Sequence, residues 1–359
     1  MKNNLIFQIF KPRKTGRLDI QIAELELQLM EWMVANEVEP NALIQTRIYL
    51  TDAANQWQDV QESSLFKSLL SQGAVSYIEQ PLLSGAKITL QMGFLKDVEL
   101  RKEGSPDCLK VYVGDVMLLL QSVRFMSDEV CDMDSEQQTI KAFERHMDTL
   151  AALEMNLEEH CHRTWIYVRD IDRHYAGVVA GRNKVFAANG LTKDTHYITS
   201  TGIGGFGDNR EAAVCVDFLS VKGVGRDAVK YLHALEYLNP THEYGVAFER
   251  GTRLAFPSVN VSFISGTASI DKYGECLHRG DVLTQAGRLF LNIDKLLNDG
   301  GASLSDVKVM LVYLRDIADY DHIYQYMTLR FPHIPFLITE ARVCRPEWLI
   351  EVECVAVAE

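Results

Sequence analysis

The stretch Ala341–Glu353, ARVCRPEWLIEVE, sets two arginines, a cysteine and two glutamates in and beside a strand pattern. Side chains of an extended chain alternate between faces, so Glu351 and Glu353 share one face and Ile350, Val352 and Cys354 the other. Two carboxyls so placed repel when both ionise, and partial burial adds to the effect. Either raises a carboxyl pKa towards that of a general acid. The same pair on a solvated strand face would do no chemistry. The arginines suit an anion, because a planar guanidinium binds a carboxylate through two parallel N–H···O bonds. Arg342 and Arg345 are therefore candidate carboxylate ligands. Cys344 is a candidate contact for the reacting group or, equally, a small buried and inert side chain, since no residue pattern around it favours the thiolate.

The rest of the chain bounds what these residues can serve. With 359 residues, 47% hydrophobic and 24% charged, it has a globular composition with room for two or three compact units. A net charge of −13, with no basic run longer than KPRK, disfavours nucleic acid. An acidic protein that handles a small anionic substrate needs a local arginine cluster to overcome its own field. No run of about 18 apolar residues occurs, so no membrane association is expected. The first residues, MKNNLIFQIFKPRKTGRLD, lack the apolar core of a signal peptide. Seven cysteines scattered without Cys-x-x-Cys pairs fit a reducing, cytoplasmic setting and argue against structural zinc. The histidines have no metal-ligand spacing, and no metal is expected. GIGGFG (Gly202–Gly207) lacks the following Lys-Ser/Thr and a following helix, which excludes a phosphate loop.

One pattern recurs three times: IYLTDAANQW from Ile48, IYVRDIDRHY from Ile166 and VYLRDIADYD from Val312. Upstream of each lies a helical periodicity (LDIQIAELELQLMEWMVANE, EQQTIKAFERHMDTLAALEMN, DVLTQAGRLFLNIDKLLNDGG) and then an alternating strand. Downstream come a second helix-like stretch and a closing strand, AKITLQMGF, AAVCVDFLSV or WLIEVECVAV. NLIFQIF, DVMLLLQSV and VNVSFISGTASI supply a strand ahead of each first helix. The fold class is thus α+β, in three units over about residues 1–100, 105–225 and 240–359, each a sheet covered by two helices. Ser220–Tyr244 reads as the longest connection, with a helical pattern in DAVKYLHALEYL.

From Phe263 to Val357 the order FISGTASI, GASLSDV, VYLRD and RVCRPEWLIEVECVAV resembles the YjgF/RidA family, and the first two units resemble it more faintly. The resemblance implies a chorismate mutase-like fold and ligand clefts between units. Three copies in one chain imply an intrachain pseudo-trimer, either monomeric or further assembled. The second and third units together resemble the chorismatase branch. The residues that carry this are Arg163, Trp165 and Tyr167; Tyr175 with Gly181 and Arg182; the segments ITSTGIGG, AFERGT and Ser265–Ser269; and Cys344 seven residues before Glu351. The pattern departs from that branch at Ile166, where Asn is usual, and at ITSTGIGG in place of a Pro-Ala element.

That resemblance implies a cofactor-free enzyme that protonates the enol-ether methylene of chorismate, lets water capture the oxocarbenium ion and releases pyruvate. Glu351 would be the acid, Cys344 would lie against the ring, and Arg163, Tyr167, Tyr175, Arg182, Ser265 and Thr267 would join Arg342 and Arg345 as substrate ligands. The residues themselves leave alternatives: Arg163 and Arg182 as structural ion pairs, Tyr167 as a fold-determining member of the triplicate with Tyr49 and Tyr313, and Ser265 and Thr267 as partners for the backbone. Two other functions remain open, a RidA-like imine or enamine deaminase and a non-catalytic small-molecule binding protein of the same fold.

Overall fold

Alternation and β-branched content build sixteen strands in three sheets; the structure, a computed structural model, describes residues 4–359. The first sheet holds β1 (Leu5–Phe10), β2 (Leu43–Leu50), β3 (Ala74–Glu79) and β4 (Ile88–Leu95) in the order β1-β4-β2-β3. The second holds β5 (Arg101–Ser105), β6 (Cys108–Val113), β7 (Val116–Val123), β8 (Cys161–Val168), β9 (Thr199–Gly204) and β10 (Val214–Lys222), ordered β5-β6-β7-β10-β8-β9. The third holds β11 (Val229–Tyr231), β12 (Gly251–Phe256), β13 (Val259–Thr267), β14 (Val307–Leu314), β15 (Phe336–Glu340) and β16 (Ile350–Ala358), ordered β11-β12-β13-β16-β14-β15. The shared plan is a strand, a helix, a strand, a helix, a parallel edge strand and a central closing strand.

Six helices carry the covering layer: α1 (Leu18–Ala35), α2 (Ala53–Glu62), α3 (Ser135–Ala152), α4 (Ile171–Ala188), α5 (Val282–Asp299) and α6 (Tyr320–Arg330). The apolar stripes expected from their periodicity are buried, as with Leu25 and Leu29 of α1, Phe143 and Leu150 of α3, and Leu289, Phe290 and Ile293 of α5. Asp134 and Asp281 begin α3 and α5 by accepting from the N–H groups of Gln137 and Thr284. Among the described residues no helix is long and apolar enough to cross a membrane.

The structure adds strands β5, β6 and β12 to the expected elements, and differs from them at two further places. The parallel edge strands β3, β9 and β15 do not show in the sequence pattern, because each is short and sits behind a helix whose periodicity dominates the window. DAVKYLHALEYL forms no long helix. Its three-residue strand β11 pairs with β12, and Lys230 and the N–H of His233 are held by Asp299 at the end of α5. Satisfying those groups against α5 fixes the segment extended rather than helical.

Contacts between units repeat cyclically. Each edge strand ends by pairing with the next unit: Glu79 N–H to Phe206 O, Gly204 N–H to Arg342 O, and Glu340 N–H to Pro81 O. The triplicate tyrosines Tyr49, Tyr167 and Tyr313 are 0–1% exposed and belong to one core cluster that draws on all three sheets. This is the pseudo-trimer, with the tyrosines gathered about its axis.

Candidate active site

A strand buried on both sides makes unusual chemistry available to a carboxyl. Along β16, Ile350 and Val352 join the core cluster with Leu289, Phe290 and Ile293 of α5, while Glu351 and Glu353 turn towards the second unit. There they are 4% and 5% exposed. Glu353 is held in place: Arg163 Nη2 donates to its Oε2 at 2.7 Å and the Trp165 indole N–H to its Oε1 at 2.8 Å. Among the described residues Glu351 has no such clamp. Burial first, and then repulsion by Glu353, push its carboxyl up to about 8, against the opposing pull of Arg250 and Arg163. At neutral pH it is a carboxylic acid with a proton to give.

Glu351 faces a cavity of ≈ 210 Å³ between the second and third units. Tyr175 and Arg182 reach it from α4, and Ser200 and Gly202 from β9. Val246, Phe248 and Arg250 come from the segment before β12, Gly266 from β13, and Cys344, Arg345 and Trp348 from the turn before β16. Arg182 and Arg250 are 2% and 6% exposed, and both guanidinium carbons approach the Phe248 ring, at 6.0 and 5.4 Å. Arg250 Nη2 donates to Asn239 O at 3.2 Å, and Arg345 Nη1 to Gly274 O at 2.9 Å. Burial, then Glu351, hold the Cys344 thiol up at about 12, so it stays protonated and is no nucleophile; Tyr175 hydrogen-bonds it. The arrangement places an apolar and aromatic wall, two buried guanidiniums and a neutral carboxyl around one space, which suits an anionic ring compound.

The cavity therefore gathers Glu351, Cys344, Arg345, Tyr175 and Arg182. The other five residues expected at the site lie elsewhere. Arg163, 2% exposed, serves as counter-ion to Glu353 and donates to Thr201 Oγ1 at 2.6 Å. Tyr167 sits at the pseudo-trimer axis. Ser265 Oγ donates to Glu249 O at 2.6 Å and accepts from Ser200 N–H at 3.0 Å, which joins β13 to β9. Thr267 Oγ1 donates to Ser265 O at 2.9 Å. Arg342, with a side chain 63% exposed, bridges to Asp172 at 2.8 Å outside the cavity. Its backbone carbonyl accepts from the Gly204 N–H at the end of β9.

Arg250, Phe248 and Gly266 do not stand out from the sequence as ligands. Their signal lies in AFERGT and in the small residue inside Ser265–Ser269. A methyl group on Gly266 would lie 2.8 Å from Glu351 Cδ and 3.0 Å from Thr201 Cγ2. The glycine thus makes room for the acid. Gly266→Ala is expected to push the Glu351 carboxyl aside and cut turnover at least tenfold, with a melting temperature lowered by a few degrees, as read by steady-state kinetics and calorimetry.

Register explains why one unit supplies the acid. Tyr49, Tyr167 and Tyr313 pair with Thr89, Cys215 and Glu351 respectively. Of these equivalent positions, the third unit alone carries a carboxyl.

Comparison with known proteins agrees with this architecture. A family model described as Endoribonuclease L-PSP matches residues 252–358. The 3-aminoacrylate deaminase RutC of Acinetobacter baylyi is 33% identical over 103 residues, 27% of this chain and 79% of that protein. A RutC family protein of Pyrococcus abyssi is 31% identical over 102 residues, covering 28% and 80%. The crystal structure of a chorismatase superposes on 98% of this chain and 98% of its own with a TM-score of 0.68 at 17% identity, so the three-unit fold is shared over the full length. With the matched segment forming the strands and helices of the third unit around Glu351, the chain belongs to the endoribonuclease L-PSP family, also called YjgF/RidA.

Proposed function

We propose that the protein is a chorismatase-like enzyme that releases pyruvate from chorismate or a closely related enol ether, in the cleft between its second and third units. The observation that carries this reading is the buried Glu351 carboxyl, its pKa pushed up to about 8, facing a cavity flanked by Arg182 and Arg250. Arg182 and Arg250 receive the two carboxylates of the substrate. Phe248 and Trp348 pack its ring, and Cys344 lies against the ring as a neutral, compact group. Glu351 gives its proton to the terminal methylene of the enol ether, whose electron pair forms the new C–H bond. The resulting oxocarbenium carbon is attacked by water. That water loses a proton back to Glu351, and the hemiketal collapses to pyruvate and the ring alcohol. The reading also draws on the shared three-unit fold of a chorismatase.

The deaminase reading takes support from RutC, but Arg342, a candidate carboxylate ligand, is tied to Asp172 outside the cavity. The pH–rate profile tests the preferred reading. Glu351 acts as an acid only while protonated, so kcat is expected to be level around pH 6–7 and to fall tenfold per unit above a pKa near 8. A rate that rises through pH 8 would require a general base instead, and would exclude Glu351 as the proton donor.

A further inference from the structure

About the pseudo-trimer axis, beyond the cavity, lies a buried charge cluster that the proposed reaction does not use. It contains three guanidiniums, Arg47, Arg124 and Arg163, and two carboxylates, Asp217 and Glu353, with side chains 2–13% exposed. Every carboxylate oxygen already has a donor. Asp217 accepts from Arg124 at 2.8 Å and from Ser76 at 2.5 Å, and Glu353 accepts from Arg163 at 2.7 Å and from Trp165 at 2.8 Å. Arg47 stands farther off, with Nε 3.7 Å from Asp217 and Nη1 3.8 Å from Glu353. Donors are left over: Arg163 Nη1, Arg47 Nε and the hydroxyls of Tyr167 and Tyr313 are buried without a hydrogen-bond partner among the described residues. Glu351 is protonated up to about pH 8 and supplies no counter-charge at neutral pH.

The register shows where the imbalance comes from. Two residues before each axial tyrosine, Arg47, Trp165 and Leu311 pair with Gln91, Asp217 and Glu353. The second and third units each place an acid at that position, and the first places an amide. The cluster is one negative charge short of both its cations and its own pseudo-symmetry. An uncompensated charge at such depth is costly, and water is a poor remedy, because each water brings two further hydrogens to a place with surplus donors. Beside the cluster is a cavity of ≈ 30 Å³ lined by Gln45, Arg47, Gln91, Arg163, Trp165 and Glu353, among others, enough for one species the size of a water or a halide. Both Arg47 and Arg163 stack on Trp165, at 4.3 and 4.7 Å from its ring, which holds the two cations at its border.

We propose that this cavity binds a small monovalent anion of halide size, which completes the charge balance at the axis in place of the carboxylate missing at Gln91. The anion is structural, and its removal loosens the junction of the three units.

Bromide is the probe. Thermal unfolding at constant sodium, with bromide replacing gluconate, is expected to show a saturable rise in melting temperature of about 2–5 °C. Crystals grown in bromide are expected to give an anomalous peak at Arg163 Nη1. Gln91→Glu keeps an acceptor for the Tyr49 hydroxyl, which donates to Gln91 Oε1 at 3.1 Å, and supplies the charge covalently. It is expected to melt higher than the parent without halide and to lose both the peak and the bromide dependence. Arg47→Met, which removes the surplus cation, is expected to lose them as well. A parent protein with neither peak nor dependence, or variants that retain both, overturns the proposal. None of these measurements uses turnover, so they stand apart from the outcome for pyruvate release.

Discussion

Glu351→Gln is expected to lower pyruvate release by about 10³-fold or more and, at the same time, to make the protein more stable. The amide preserves the shape of the side chain and removes the transferable proton. The stability gain follows from linkage. Burial and Glu353 raise the folded-state pKa of Glu351 from 4.5 to about 8. A carboxyl whose folded pKa is raised contributes stability that is complete below the unfolded pKa and is lost as pH rises through the folded one. The wild-type protein therefore weakens between about pH 4.5 and 8, and by pH 7 the loss is ~3 kcal/mol. An amide at that position does not titrate and has no such dependence. The variant should melt a few degrees above the parent at pH 8 and near it at pH 5, as followed by calorimetry across that range. A loss of activity accompanied by lower stability at pH 8 would indicate damage rather than removal of an acid.

The second large effect is expected at Arg250. Its guanidinium is 6% exposed, lines the cavity beside Arg182 and lowers the Glu351 pKa from the level burial alone would set. Arg250→Met is expected to reduce kcat/KM by about 10²-fold, mainly through KM, because a buried charge-assisted pair is lost. The falling limb of the pH–rate profile should move to higher pH at the same time, since a cation that favoured the ionised form has gone. Arg250→Lys keeps the charge without the bidentate fork, so it should restore the limb but only part of KM. A purely structural arginine would move neither in this graded way.

Much of this protein is legible as sequence, and the illegible parts have definite causes. Tyr49, Tyr167 and Tyr313 announce three copies because each closes a strand at the axis, where one residue type serves all three units. The helices are visible through their stripes. The edge strands β3, β9 and β15 are not, since five or six residues after a helix carry too little alternation to stand out. At the cavity, Tyr175, Arg182, Cys344 and Glu351 come forward through the chorismatase resemblance, and Arg345 through the affinity of a guanidinium for a carboxylate. Arg250 does not, because its relevance depends on how the segment before β12 folds across the cleft. The pairing of Arg163 with Glu353 joins residues on different units, and local pattern carries no trace of it. Arg342 shows the converse. Its residue type suits a carboxylate ligand, while an ion pair with Asp172 on α4 holds the side chain outside the cavity.

The most direct measurement is incubation of the purified protein with chorismate at pH 7, with pyruvate quantified enzymatically and the ring product identified by chromatography and mass spectrometry. One pyruvate is expected for each chorismate consumed, together with a single hydroxybenzoate or dihydrodiol. Recovery of intact chorismate, bound or free, with pyruvate no higher than in protein-free buffer would contradict it and leave a binding protein on this fold.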